Sequence, residues 1–125
     1  MPRRVRVLGD LFHGQVPDGA VYIGRRAPGL RCSPFHNPFR AGTPGYETAT
    51  DAVAAYEQWL AYGTTVPYPA PGESKRLAAL RDDVLARIEA GELTGRDLAC
   101  WCREDRPCHG DVLLRAVEEI TRGGR

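Results

Sequence analysis

The sequence predicts a single small α/β domain over residues 1–125, with a layered, Rossmann-like sheet flanked by helices. Two short segments rich in β-branched residues open the chain, and a third stands near its end. Two amphipathic stretches separate the second segment from the third, and another follows the third. Strands mixed with helices in this order favour an α/β layer structure. We expect a core over about residues 4–120 and a frayed tail over 121–125.

The first two predicted strands are Arg4–Leu8 and Ala20–Gly24. The first alternates polar and apolar residues, which is typical of a half-buried strand. The second contains β-branched and aromatic residues, which favour strands. The next stretch, residues 25–45, is rich in proline and glycine, which disfavour regular structure. Because Phe35 and Phe39 lie within it, we expect an ordered loop.

Three helices and one further strand complete the prediction. Thr50 or Asp51 is expected to cap a helix that ends near Tyr62. Ser74 is expected to cap the next helix, and Gly91 fits just past its end.

The last predicted unit is a strand, a loop and a helix. The strand covers Asp97–Cys102, and Pro107 suits the first turn of the final helix. A ligand site at the carboxyl end of this strand is expected, since open α/β sheets bind ligands there.

Composition excludes several classes of protein. The 17 basic and 16 acidic residues give a net charge of +1, unlike a strongly basic nucleic-acid binder. No apolar run is long enough to span a membrane or to serve as a signal peptide. We therefore expect a cytoplasmic protein without membrane contact, in which the four cysteines do not form structural disulfides.

A cysteine-rich motif stands at the predicted strand–helix junction. Cys102 would end the strand and Cys108 would begin the helix, whose free N–H groups lower the pKa of a thiol. This pattern predicts Cys102 or Cys108 as a nucleophile or activated thiolate, with His109 or Asp111 handling protons.

Other interpretations of the same cysteines stay open. Cys100 suits a core position, and Cys102 with Cys108 would suit a redox-active disulfide. A tetrahedral zinc site of Cys100, Cys102, Cys108 and His109 has suitable atoms. The spacing C-x-C-x5-C-H is unusual for zinc, however, so we expect no metal and no other cofactor.

A second motif, in the arginine loop (residues 24–42), carries candidate substrate-binding residues. Arg25 and Arg40 are expected to hold an anionic group. Asn37 would either read a base-like edge or tie the loop to itself, and Phe35 would either stack on a planar ligand or anchor the loop. The complete predicted set is Gly24, Arg25, Ser33, Phe35, Asn37 and Arg40.

Four segments of the chain, VYIGR, NPFR, YEQWL and DLACWCREDRPCHGDVLL, together resemble an uncharacterised bacterial and phage family, domain of unknown function 4326. The resemblance runs from about Val5 to Leu114; this chain has HNPF where many relatives are expected to have GNPF. The final unit is also similar to domain of unknown function 488. The resemblance supplies no reaction, but implies that these residues match motif positions: Gly24, Arg25, Asn37, Arg40, Cys102, Cys108, His109 and Asp111.

We therefore predict an enzyme of the hydrolase or transferase type that acts on an anionic small molecule such as a nucleotide or nucleoside derivative. The cysteine motif and the arginine loop would meet at the carboxyl edge of the sheet. One alternative is a non-catalytic zinc- or ligand-binding module. Another is an adaptor that binds a partner protein through the proline-rich stretch Tyr62–Gly72. A pocket that joins the two motifs would favour the enzyme over the adaptor.

Overall fold

The structure, a computed structural model, describes residues 2–9, 12, 14–42, 45–63, 73–103 and 105–122. Within these residues the chain forms a three-stranded sheet and three helices, so the predicted α/β class is confirmed. The elements in chain order are β1 (Arg4–Arg6), β2 (Val21–Tyr22), α1 (Ala49–Tyr62), α2 (Glu73–Glu89), β3 (Leu98–Cys100) and α3 (His109–Arg122).

The sheet is parallel, and β3 lies at its centre between β1 and β2. All three residues of β3 are buried, as expected for the central strand of a parallel sheet. The strands are shorter than predicted, and β3 ends at Cys100 instead of Cys102. Pairing continues for one residue beyond β1 and β2, through hydrogen bonds of 2.9 Å from Val7 N–H to Cys100 O and from Ile23 N–H to Ala99 O. Cys102 already lies in a bend.

Helix α1 begins with a capping box. The Thr48 hydroxyl accepts a hydrogen bond from Asp51 N–H (3.1 Å), and the Asp51 carboxylate accepts one from Thr48 N–H (3.0 Å). The prediction of Thr50 or Asp51 as the cap is therefore wrong, because both residues lie inside the helix. Gly63 ends the helix in the left-handed conformation, with φ of 78°.

The ends of the other two helices also differ from prediction. Ser74 is not a cap, because α2 already begins at Glu73. Gly91 follows α2 with φ of 86°, as expected. Pro107 precedes α3 instead of lying in its first turn, and α3 continues to Arg122. Two residues predicted as frayed, 121 and 122, are thus helical, whereas residues 123–125 lie outside the described part of the chain.

The core joins the sheet, the helices and the arginine loop. Helix α3 packs against β1, β3 and α1, and α2 packs against α1. Phe35 and Phe39 are buried, and the ring of Phe39 meets Trp59 edge-on at a centroid distance of 5.8 Å. These contacts fix the loop against α1 and confirm the expectation that it is ordered. Among the described helices, none has the length and apolar character that crossing a membrane requires.

Candidate functional site

The two sequence motifs line one cavity of about 320 Å³ at the carboxyl ends of β2 and β3. Gly24, Arg25 and Asn37 contribute to one part of its wall, and the residues of the cysteine motif contribute to another. The cavity arises because β2 and β3 are parallel neighbours, so the segments that follow them leave the sheet at the same edge.

Three cysteine sulfur atoms meet beside this cavity. The Sγ atoms of Cys100, Cys102 and Cys108 all lie within 4.8 Å of one another. The Cys108 thiol donates a hydrogen bond of 3.4 Å to the sulfur of Cys100. Cys100 and Cys108 are buried and Cys102 is half-buried, whereas Cys32 is exposed and is not part of this group. We call the first three residues the cysteine triad.

The Cys108 thiol is not a poised thiolate. Its hydrogen bond with Cys100 raises its pKa, burial adds to the effect, and the pKa reaches about 11. A hydrogen bond with Cys102 lowers the pKa, and a hydrogen bond of 3.4 Å from Gly110 N–H at the start of α3 lowers it to a smaller extent. The predicted lowering of this pKa is therefore wrong, because one N–H group at the helix start does not offset burial and a neighbouring thiol.

The other two thiols of the triad are also held in the protonated form. For Cys100, the hydrogen bond with Cys102 raises the pKa, and burial contributes. For Cys102, the hydrogen bond with Cys100 lowers the pKa, but the hydrogen bond with Cys108 and burial together outweigh it.

His109 is a neutral, buried imidazole. Burial lowers its pKa to about 4, although the carbonyl of Ile23 acts in the opposite direction. Its Nε2 atom lies 2.9 Å from Ile23 O, so Nε2 carries the proton and donates it to this carbonyl. Its Nδ1 atom therefore carries the lone pair and lies within hydrogen-bonding distance, 3.9 Å, of the sulfur of Cys108. His109 thus offers a proton acceptor at the wall of the cavity.

Arg4 is a site residue that the sequence analysis missed. Its guanidinium donates hydrogen bonds to Arg103 O (3.2 Å) and Arg106 O (3.0 Å) and pairs with Asp111 at 3.3 Å. It thereby holds the loop between Cys102 and Cys108. The side chain of Arg4 is only 10% exposed. Asp111, predicted to handle protons, is about half exposed and contacts Arg4.

Gly110 allows α3 to approach the sheet closely beside the triad. A Cβ atom at this position would lie 2.9 Å from Cδ1 of Ile23 and 3.2 Å from Cδ of Arg4. A larger residue in place of this glycine of the sequence CHGD would force the side chain of Ile23 to shift.

In the arginine loop, polar side chains bind the loop's own backbone. Arg25 donates hydrogen bonds to the carbonyls of Asn37 and Phe39. The buried Asn37 amide accepts from Phe39 N–H (2.9 Å) and donates to Ala52 O in α1 (3.1 Å). Of the two interpretations open for Asn37, the structure shows the one in which it ties the loop in place.

Ser33 and Phe35 also support this loop. The Ser33 hydroxyl accepts a hydrogen bond from Phe35 N–H (3.0 Å), which closes a short turn. Phe35 is 2% exposed, and its carbonyl accepts a hydrogen bond from the hydroxyl of Tyr56 (3.3 Å). Phe35 therefore anchors the loop on the core.

Arginine side chains line a second cavity, of about 500 Å³, which shares Arg25 and Arg26 with the first. Arg40 and Arg76 also contribute to its wall. Burial lowers the pKa of Arg25, and the positive charge of Arg40 lowers it further. Arg25 and Arg40 thus share one concave surface of positive charge, which we call the arginine cavity.

Fold and site define a small α/β protein in which a cysteine–histidine cluster and an arginine-bearing loop share a cavity. Residues 12–119 match the family model described as Domain of unknown function (DUF4326), and the chain belongs to this family. No curated protein and no solved structure matches the chain.

Proposed function

We propose that this protein is an enzyme that binds an anionic, nucleotide-like small molecule in the cavity between the arginine loop and the cysteine triad. The observation that carries this proposal is the shared cavity of about 320 Å³. A pocket built from two separate motifs, with polar groups on both sides, is typical of a small-molecule site. An adaptor surface would be flatter and would not require the buried thiols and imidazole.

The arginine cavity supports an anionic substrate. Arg25 and Arg26 belong to the walls of both cavities, and Arg40 faces only the larger one. A molecule with a planar group near the triad and a phosphate among the arginines would occupy both. Guanidinium groups bind phosphate oxygens with paired hydrogen bonds, which favours a phosphate over a neutral group.

The reacting groups in this proposal are Cys102 and His109, with Cys108 behind them. Cys102 is the most accessible thiol of the triad. His109 is neutral, and its Nδ1 lone pair, beside the sulfur of Cys108, can accept a proton as a general base does. Hydrolysis or group transfer at a phosphate- or ribose-bearing substrate fits these groups.

A Rossmann-like layering belongs to the same proposal. The parallel order β1-β3-β2 and the packing of α3 on the sheet support it. Such a fold would bind its ligand at the carboxyl edge, where the cavity lies.

Calorimetric titration with inorganic phosphate and the common nucleoside monophosphates tests the proposal. We expect at least one nucleotide to bind, and Arg40→Ala to weaken this binding about tenfold or more, the scale of a hydrogen bond to a charged group. The matched control is Arg122→Ala, at the end of α3, where the side chain pairs with Glu118. It removes the same charge and should leave binding unchanged.

Two results would contradict the proposal. One is the absence of binding by phosphate and by every nucleotide tested. The other is an equal loss of affinity in Arg40→Ala and Arg122→Ala, which would indicate a general effect of charge instead of a site.

A further inference from the structure

We propose that Cys100, Cys102 and Cys108 bind one zinc ion through their sulfur atoms, with the fourth coordination position open to the cavity. This inference goes beyond the proposed function, since it depends on the arrangement of the triad and not on the arginine cavity. It assigns the cysteines as ligands, so Cys102 would no longer be the reacting thiol of the proposed function, whereas the proposed anionic substrate is unaffected.

The distances between the sulfur atoms carry the inference. Zinc binds cysteine sulfur at about 2.3 Å in tetrahedral geometry, which separates two sulfur ligands by about 3.8 Å. The three Sγ atoms lie within 4.8 Å of one another, and those of Cys100 and Cys108 are 3.4 Å apart. A change of about 1 Å or less in each distance between sulfur atoms brings the three to this spacing.

The fold explains why an unusual spacing produces this geometry. Cys100 ends the central strand, Cys102 follows in the bend, and Cys108 directly precedes α3. Between the last two cysteines, Arg103 O and Arg106 O accept hydrogen bonds from the guanidinium of Arg4. Three ligands therefore come from a strand end, a bend and a helix start, none of which linear spacing rules describe.

The charges around the triad suit a zinc–thiolate centre. On binding, each thiol releases its proton to solvent, and three thiolates with Zn²⁺ carry a net charge of −1. The guanidinium of Arg4 is 10% exposed and interacts electrostatically with Cys100 and Cys108. It offsets the negative charge, and it remains paired with the half-exposed Asp111 on its outer side. Gly110 N–H donates to the sulfur of Cys108 and stabilises the thiolate further.

The fourth ligand comes from outside the protein. His109 is not part of the group of residues whose ligand atoms all lie within 4.8 Å of one another. All three cysteines line the cavity of about 320 Å³, so a water molecule or substrate atom can complete the coordination. Three protein ligands and one exchangeable position are the arrangement of catalytic zinc sites. Thiolate ligands favour zinc over magnesium and calcium, which bind oxygen.

The test is the metal content of the full chain, purified under reducing conditions with zinc present. We expect one zinc per chain by elemental analysis in the native protein and in Cys32→Ser, which removes the exposed cysteine outside the triad. We expect Cys102→Ser, the half-buried position, to lose the zinc. Circular dichroism checks that each variant is folded.

Cobalt(II) substitution of the native chain provides a measurement that needs no variant. Bound Co²⁺ should give thiolate-to-metal charge-transfer absorption and the strong visible bands of four-coordinate cobalt, and excess Mg²⁺ should not displace it. The inference is overturned if the reduced native chain takes up neither zinc nor cobalt, or if Cys102→Ser retains the same zinc content as Cys32→Ser. A Cys100–Cys108 disulfide that persists in reductant and excludes metal would also overturn it.

Zinc binding and nucleotide binding are separate readouts. Stoichiometric zinc held by Cys102 would contradict its role as the reacting thiol, and a lack of nucleotide binding would contradict the proposed substrate. Nucleotide binding by a chain that takes up no metal would contradict only the zinc site.

Discussion

One arginine side chain organises much of the site. Arg4 reaches from β1 to two carbonyls of the loop between Cys102 and Cys108, and to Asp111 at the start of α3. Its planar guanidinium makes all three contacts at once, whereas the ammonium of a lysine is a single point of charge. Arg4 is therefore a positioning residue for the cysteine triad.

Replacing Arg4 by lysine should separate this positioning role from the role of charge. Arg4→Lys retains the positive charge but loses the paired hydrogen bonds, so we expect about a tenfold weaker affinity for zinc. The measurement is competition against a chelator with a known zinc affinity. Arg6→Lys is the control, because Arg6 is exposed on the same strand. Equal affinities of the two variants would show that Arg4 does not position the ligands.

Single residues also show where sequence reasoning succeeds and where it fails. The predicted site included Cys102, Cys108 and His109, and all three line the cavity. The pKa of Cys108 was predicted to be lowered but is raised. Burial and the neighbouring thiol raise it, and both depend on tertiary packing. Arg4 was missed for the same reason, since its three partners lie about a hundred residues away in sequence.

At the scale of elements, hydrophobic periodicity located each of the three helices in the described part of the chain but not its ends. Apolar spacing reflects the middle of a helix, where side chains meet the core. The ends depend on local hydrogen bonds that several nearby residues can form, as Thr48, Thr50 and Asp51 illustrate in α1. The strands were predicted too long, because a strand of a parallel sheet ends where its neighbour turns away, and the neighbour is distant in sequence.

The start of α1 provides a direct test of its cap. Thr48→Ala removes the hydroxyl that accepts from Asp51 N–H, so we expect the free energy of unfolding to fall by about 1 kcal/mol. Thr50→Ala, two residues into the helix, should change it by less than about 0.5 kcal/mol, as exposed helix positions usually do. Urea denaturation of both variants measures the difference. A larger loss in Thr50→Ala would return the cap to the position first predicted from sequence.

For the whole molecule, the carboxyl-edge rule for α/β sheets was the most useful guide. It predicted that the segments after β2 and β3 meet, and they line one cavity. The convergence of the three sulfur atoms was considered only as an alternative, a zinc site that the unusual spacing of the cysteines disfavoured. This convergence depends on the hydrogen bonds that Arg4 in β1, near the other end of the chain, donates to Arg103 O and Arg106 O.

Because the triad joins β3 to α3, zinc should stabilise the entire domain. A ligand that binds only the folded state stabilises it by about 2.7 kcal/mol at a hundred times its dissociation constant. We therefore expect the melting temperature of the chelator-treated, reduced chain to rise by several degrees when zinc is added. Cys32→Ser should show the same rise, and Cys102→Ser none. A similar rise in Cys102→Ser would mean that zinc acts elsewhere on the chain, and a fall in both variants would mean that it binds the unfolded state preferentially.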